Sequence, residues 1–179
     1  MDIQLKQTVA APADRVWAIL GPEYPKVGNW ASEVYASKPR PGTPLVAGAP
    51  VAGRVCETSL GPFTETIETY DPDTRTIAYS ATGDAMPGFM RGLRNQWVVR
   101  PDGASRCKVE TRLTADIAQP FAFLMGWMMK RKFQSAMTTS MNDLKTFAET
   151  GRVSAAKTDA DRKPAAREAK AEYASHSAA

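Results

Sequence analysis

The side chains best suited to proton transfer and metal binding are sparse in this chain. Its single histidine, His176, stands near the C-terminus. Residues 1–150 therefore hold no imidazole to serve as general base, triad member or metal ligand. The two cysteines, Cys56 and Cys107, are far apart, lack CxxC spacing and read as free thiols. A metal would have to be held by carboxylates alone, and no acidic cluster has suitable spacing. Neither GxxxxGK[ST] nor GxGxxG occurs, so no phosphate-cradling loop is apparent. The expectation is no metal and no cofactor.

Any chemistry then falls to Glu, Asp, Tyr, Arg or Lys. Glu65 and Tyr79 are the weak catalytic candidates. Glu65 shares a strand face with Phe63 and Ile67; turned inward it would be a desolvated proton donor or base, turned outward a solvated carboxylate. Tyr79 shares a face with Ile77 and reads either as a donor to a ligand carbonyl or as an interfacial tyrosine with a wet hydroxyl. Arg94 is a third candidate for proton transfer.

Other residues are candidates for a ligand wall. In 92–100 one face carries Leu93, Asn95, Trp97 and Val99, assigned inward, and the other carries Arg94, Gln96, Val98 and Arg100. Asn95 is the polar member of an apolar row and must find a partner, in a ligand or in the protein. Thr111 lies on the apolar face of the last strand with Cys107, Val109, Leu113 and Ala115. Trp30 reads as ligand wall or core. Phe89 sits in the apolar loop 82–91, either a lid over a pocket or packing on the sheet rim. Leu124 and Met128 lie on the final helix, whose methionines fill core and suit variable apolar ligands.

The elements that must position these residues follow from periodicity. Asp2 to Val9 alternates as a half-buried strand. Pro12 opens a helix with an apolar stripe of Val16, Trp17, Ile19 and Leu20, ended by Gly21 and Pro22. A second short helical or irregular piece runs through Tyr24, Val27, Trp30 and Val34, and the Pro- and Gly-rich residues 38–50 read as a loop. Strands follow at about 52–60, 63–70, 76–81, 92–100 and 105–117, with breakers at Gly61-Pro62, Asp71-Pro72-Asp73 and Pro101-Asp102-Gly103. Pro120 opens the last main element. Leu124, Met128, Met129, Phe133, Met137, Met141, Leu144 and Ala148 recur at helical spacing, giving a helix of about 30 residues and roughly 45 Å. Gly151 is its natural stop. Residues 1–150 form one domain. Residues 151–179 read as a disordered or transiently helical charged tail.

The net charge of +4 is modest. Its one basic cluster, Lys130-Arg131-Lys132, reads as a solvated helix face, so no nucleic-acid partner is expected. No apolar run reaches the ~20 residues of a membrane-spanning helix, and the N-terminal residues do not resemble a secretory leader. A cytoplasmic protein is expected; the oligomeric state stays open.

The order of strand, two short helices, meander and long helix is that of an α+β helix-grip fold. It is a curved antiparallel sheet of about six to seven strands wrapped on a C-terminal helix. The sequence resembles the SRPBCC superfamily of START-type lipid-transfer domains, pollen-allergen-like proteins and polyketide cyclase/dehydrase-like proteins. The resemblance rests on Val9 to Leu20 (VAAPADRVWAIL), Glu65 to Pro72 (ETIETYDP) followed by Ile77 to Tyr79, and Met141 to Lys145 (MNDLK). The group it resembles is the bacterial cyclase/dehydrase and lipid-transport-like proteins. The resemblance implies a hydrophobic cavity between sheet and helix, and none of these segments is a catalytic motif. Three functions stay open. The first is binding, with or without transfer, of a small hydrophobic molecule such as a lipid or polyketide. The second is a polyketide cyclase/dehydratase-type enzyme using a cavity carboxylate and tyrosine. The third is a protein-interaction or co-chaperone-like role.

Overall fold

The computed structural model describes residues 1–84, 86–119 and 121–177, with the backbone only at 121–125, 176 and 177. Seven strands form one antiparallel sheet in the order β1-β7-β6-β5-β4-β3-β2. They are β1 (Asp2–Val9), β2 (Val34–Pro39), β3 (Gly53–Thr58), β4 (Gly61–Asp71), β5 (Thr76–Thr82), β6 (Met90–Pro101) and β7 (Cys107–Ile117). Between β1 and β2 lie α1 (Ala13–Leu20) and a 3-10 helix, Tyr24–Asn29. The long helix α2 (Phe121–Thr150) follows the sheet, and the architecture is a helix-grip fold.

The curl of the sheet has a local cause. The pairing register shifts between Val34 and Ala36, between Ile67 and Thr69, and between Met90 and Gly92. Each irregularity bends its strand and increases local twist, which wraps the sheet toward the helix. β2 replaces the loop and helical piece expected for this stretch. It is a short edge strand carrying one of these bulges, so it lacks the alternation that reveals a strand.

The core sits between the concave face and the helices. Val9, Val16, Ile67, Ile77, Val99 and Leu144 belong to one buried cluster with Trp17 and Tyr24. On α2, Met129, Met137, Met141, Leu144 and Ala148 are buried at steps of three, four and eight, as an amphipathic helix requires. Each large side chain so buried contributes about 1.5–3 kcal/mol before entropy is counted. Gly151 ends α2 in the left-handed region at φ 71°, and its N–H closes on the Phe147 carbonyl at 2.8 Å. The expectation at Pro120 lies outside the described residues.

Residues 151–177 differ from the disordered or transiently helical tail expected of them. They form α3 (Ala155–Asp161) and α4 (Pro164–Ser177). Ser154 caps α3, its hydroxyl accepting the Lys157 N–H at 3.0 Å. Ala160, Ala166, Ala169 and Tyr173 are buried against Tyr35 and Ala36 of β2. These alanines need no core of their own because they use the outward side of an edge strand.

Candidate ligand-binding cavity

A cavity of about 180 Å³ lies between the concave sheet face and α2. Ile77, Trp97, Leu113, Phe133 and Met137 give it apolar walls. Trp30, Glu65, Tyr79, Asn95 and Trp97, all singled out in the sequence, line it together. Four further polar residues, Tyr24, Glu33, Arg54 and Ser140, line it unforeseen.

Sheet register explains the assembly. Arg54 of β3 stands opposite Glu65 of β4, and Tyr79 of β5 stands opposite Asn95 of β6. Arg54 Nε lies 2.6 Å from Glu65 Oε2, but off the hydrogen-bond axis, so the contact is an ion pair. Tyr24 donates its hydroxyl to the same oxygen at 2.5 Å. Arg54 Nη1 donates to the Tyr24 carbonyl at 2.8 Å, and the guanidinium lies 4.0 Å from the centre of the Tyr24 ring. Of the two orientations left open for Glu65, the structure has the inward one, with the carboxylate paired to Arg54 and Tyr24.

Three donors converge on the Tyr79 oxygen: Asn95 Nδ2 at 3.2 Å, Trp97 Nε1 at 3.4 Å and Arg54 Nη2 at 3.4 Å. Thr111 does not line the cavity; its hydroxyl donates to Asn95 Oδ1 at 2.9 Å and so aims the amide NH₂ at Tyr79. Among the described residues no group accepts the Tyr79 hydroxyl proton. Burial holds that proton on, pushing the phenol up to about 12, with the Glu65 charge adding to the effect. Burial also raises Tyr24 well above its ordinary value. For Arg54, burial is the largest single influence and opposes the charge, but Glu65, Tyr24, Cys56 and Tyr79 together outweigh it and hold the guanidinium well above its usual range. The Trp30 indole N–H, also buried, has no partner among the described residues.

Other expected site residues lie elsewhere. Met128 is 44% exposed, on the face of α2 turned from the core, because helical spacing puts its neighbour Met129 inward instead. Phe89 is half-buried but does not line the cavity; its carbonyl accepts the Ala118 N–H at 2.8 Å. Arg94 points away from the cavity and binds Glu68 at 2.8 Å. The Leu124 side chain lies outside the described residues. Alternation carries a signal for Arg54: Ala52, just before β3, and Cys56 of β3 stand two residues to either side of it, and both are buried.

A curved sheet closed by a long C-terminal helix over an apolar cavity defines the SRPBCC, or START-like, class. The chain belongs to the polyketide cyclase / dehydrase and lipid transport family, whose family model matches residues 1–149. Among curated proteins none matches. Several solved structures share the fold. Norcoclaurine synthase from Thalictrum flavum, in complex with dopamine and hydroxybenzaldehyde, is 13% identical with a TM-score of 0.62, covering 86% of this chain and 89% of that one. The di-domain ARO/CYC protein BexL from the BE-7585A biosynthetic pathway is 16% identical with a TM-score of 0.64, covering 81% and 45%. A START superfamily protein from Mycobacterium smegmatis is 11% identical with a TM-score of 0.58, covering 78% and 93%. These identities speak to fold alone. Among the described residues no helix is long and apolar enough to cross a membrane.

Proposed function

We propose that the protein binds a compact hydrophobic molecule bearing a hydrogen-bond acceptor, such as a ring carbonyl. The observation that carries this reading is the Tyr79 proton, which no described group accepts, in a cavity whose walls include Ile77, Trp97, Leu113, Phe133 and Met137. A buried donor without an acceptor costs free energy, and an acceptor on a ligand removes that cost. The buried Trp30 N–H favours the same ligand chemistry. Size narrows the class: about 180 Å³ is near the ~150 Å³ of an engineered protein cavity that takes one benzene. One or two rings suit it, and a diacyl lipid does not. The one-ring hydroxybenzaldehyde held by norcoclaurine synthase is a ligand of this kind.

A second reading adds catalysis. Tyr24 and Arg54 both engage Glu65 through Oε2, and no described group donates to Oε1. A carboxylate oxygen and a phenol proton lining one cavity form a base and an acid suited to enolisation or dehydration of a carbonyl compound. That is cyclase/dehydratase-type chemistry.

Native mass spectrometry of the purified protein, followed by titration with 4-hydroxybenzaldehyde and toluene, tests the binding reading. The aldehyde is expected to bind more tightly than the hydrocarbon. Absence of any retained ligand, with neither compound bound, overturns it. Exchange of α-protons in a bound ketone, lost in Glu65→Gln, is the expected sign of the catalytic reading; no exchange above buffer refutes it.

A further inference from the structure

The helix pair α3–α4 lies beyond the family-matched residues 1–149, yet it reaches the cavity wall. That wall includes residues 30–34, which lead from the 3-10 helix into β2; Trp30, Ala31, Glu33 and Val34 all line the cavity. Part of the segment is held locally. Trp30 and Ala31 donate their N–H groups to Val27, and the Glu33 carbonyl accepts the Ser59 N–H at 3.1 Å.

Two of its backbone groups are held from outside. The Ser32 N–H donates to Asp143 Oδ2 at 2.7 Å, and the Ser154 hydroxyl donates to the other oxygen of Asp143. Ser154 is the residue that caps α3. One turn on, the Lys157 amine donates to the Val34 carbonyl at 2.8 Å and pairs with Asp161 at 2.8 Å. Asp161 is also bound by Lys170 of α4 at 2.7 Å. Tyr173 closes the assembly beneath Lys38, whose amine lies 4.6 Å from the centre of its ring.

Lys157 is fully buried, which is unusual for a lysine and costly unless its charge and donors are matched. An apolar residue would cover β2 as well. What the lysine adds is a donor aimed at one carbonyl of the cavity wall. Asp143, 1% exposed, adds an acceptor for an amide two residues earlier. The two tethers flank Glu33 and grip backbone, so they fix the wall's position whatever side chains it carries.

We infer that α3–α4 is a clamp on the ligand cavity, with Lys157 as a positioning residue that holds the Trp30–Val34 wall in its binding position. The inference rests on the cavity being a binding site, and its test separates the two. In the full chain, Lys157→Met keeps the length of the side chain and removes the donor. Ser154→Ala, a milder change, breaks the link to Asp143. Hydrogen exchange is followed by fragment, and 4-hydroxybenzaldehyde is the binding probe. Exchange across 30–34 is expected to rise about tenfold in Lys157→Met, and by less in Ser154→Ala, with β6 and β7 unchanged. Affinity for the probe is expected to fall about tenfold alongside. Unchanged exchange at 30–34 in both variants overturns the clamp. So does raised exchange with undiminished affinity, or a uniform rise over the whole sheet. If the unmodified protein binds no probe, the binding reading fails, while exchange at 30–34 still supports or overturns the clamp.

Discussion

Arg54 and Glu65 face each other across β3 and β4 in direct register, 2.6 Å apart, with side chains only 8% and 13% exposed. Neither charge can stay at that depth alone, because desolvation costs several kcal/mol per ion unless a partner offsets it. The pair also brings in Tyr24 and Tyr79, so the polar floor of the cavity is one connected unit.

Replacing Arg54 by Met should therefore destabilise the fold by about 3–5 kcal/mol, mostly by stranding Glu65. In the double variant Arg54→Met/Glu65→Gln the cost should be smaller than the sum of the single changes, with a coupling of about 0.5–3 kcal/mol. Urea denaturation of the four proteins measures it. Strict additivity would show that the two residues do not act together.

Tyr79→Phe removes the oxygen on which Asn95, Trp97 and Arg54 converge. The expected loss of stability is about 1–3 kcal/mol, from donors left without an acceptor. If the hydroxyl is the ligand's donor, the preference for 4-hydroxybenzaldehyde over toluene should vanish in this variant. A preserved preference assigns recognition to another group, with the Trp30 N–H the next to replace.

Alkaline pH should destabilise the protein through two buried groups. Burial raises Cys56 from 9.0 to about 12, with Glu65 adding, and raises Tyr79 from 10.0 to about 12. The unfolded chain loses these protons first, so above pH 9.0 the folded state binds more protons than the unfolded state. Their contribution is complete below pH 9.0 and is lost as pH rises toward about 12. Each group adds a slope of up to about 1.4 kcal/mol per pH unit within its window. Urea midpoints on either side of pH 9.0 should show the decline, and Cys56→Ala and Tyr79→Phe should each flatten it.

Gly53→Ala should damage the site through the backbone. A Cβ there would stand 1.9 Å from the Glu65 carbonyl oxygen, inside the β3–β4 pairing. The strands must part, and Arg54 and Glu65 move with them. A loss of at least about 1–3 kcal/mol is expected, as for an overpacked core. Near-UV circular dichroism should change as well, since the Arg54 guanidinium lies 4.0 and 5.2 Å from the ring centres of Tyr24 and Tyr79. A variant of full stability and unchanged spectrum would contradict this account.

Much of the cavity was legible from period-two alternation. Asn95 and Trp97 on β6, and Tyr79 on β5, fall on faces whose other members are apolar, and the β5–β6 register brings them together. Met128 shows the limit of the same reasoning on a helix. Consecutive methionines at 128 and 129 both fit an apolar stripe, and only packing on the sheet decides which turns inward. Arg54 was missed despite its alternation with Ala52 and Cys56, because a charged residue in a strand reads as solvent-facing until its partner is known.

The sequence by itself determined β1, α1, the meander from β3 to β7, the inward faces of β6 and β7, the extent of α2 and the absence of an imidazole from residues 1–150. Those properties follow from local periodicity and residue type. The tertiary structure alone decided that Arg54 and Glu65 are buried together, that no described group accepts the Tyr79 proton, and that α3 and α4 pack on β2. Each depends on a partner distant in the chain. The fate of a buried charge, a phenol proton or an alanine-rich helix is set by the group that meets it across the fold, and local pattern carries no record of that meeting.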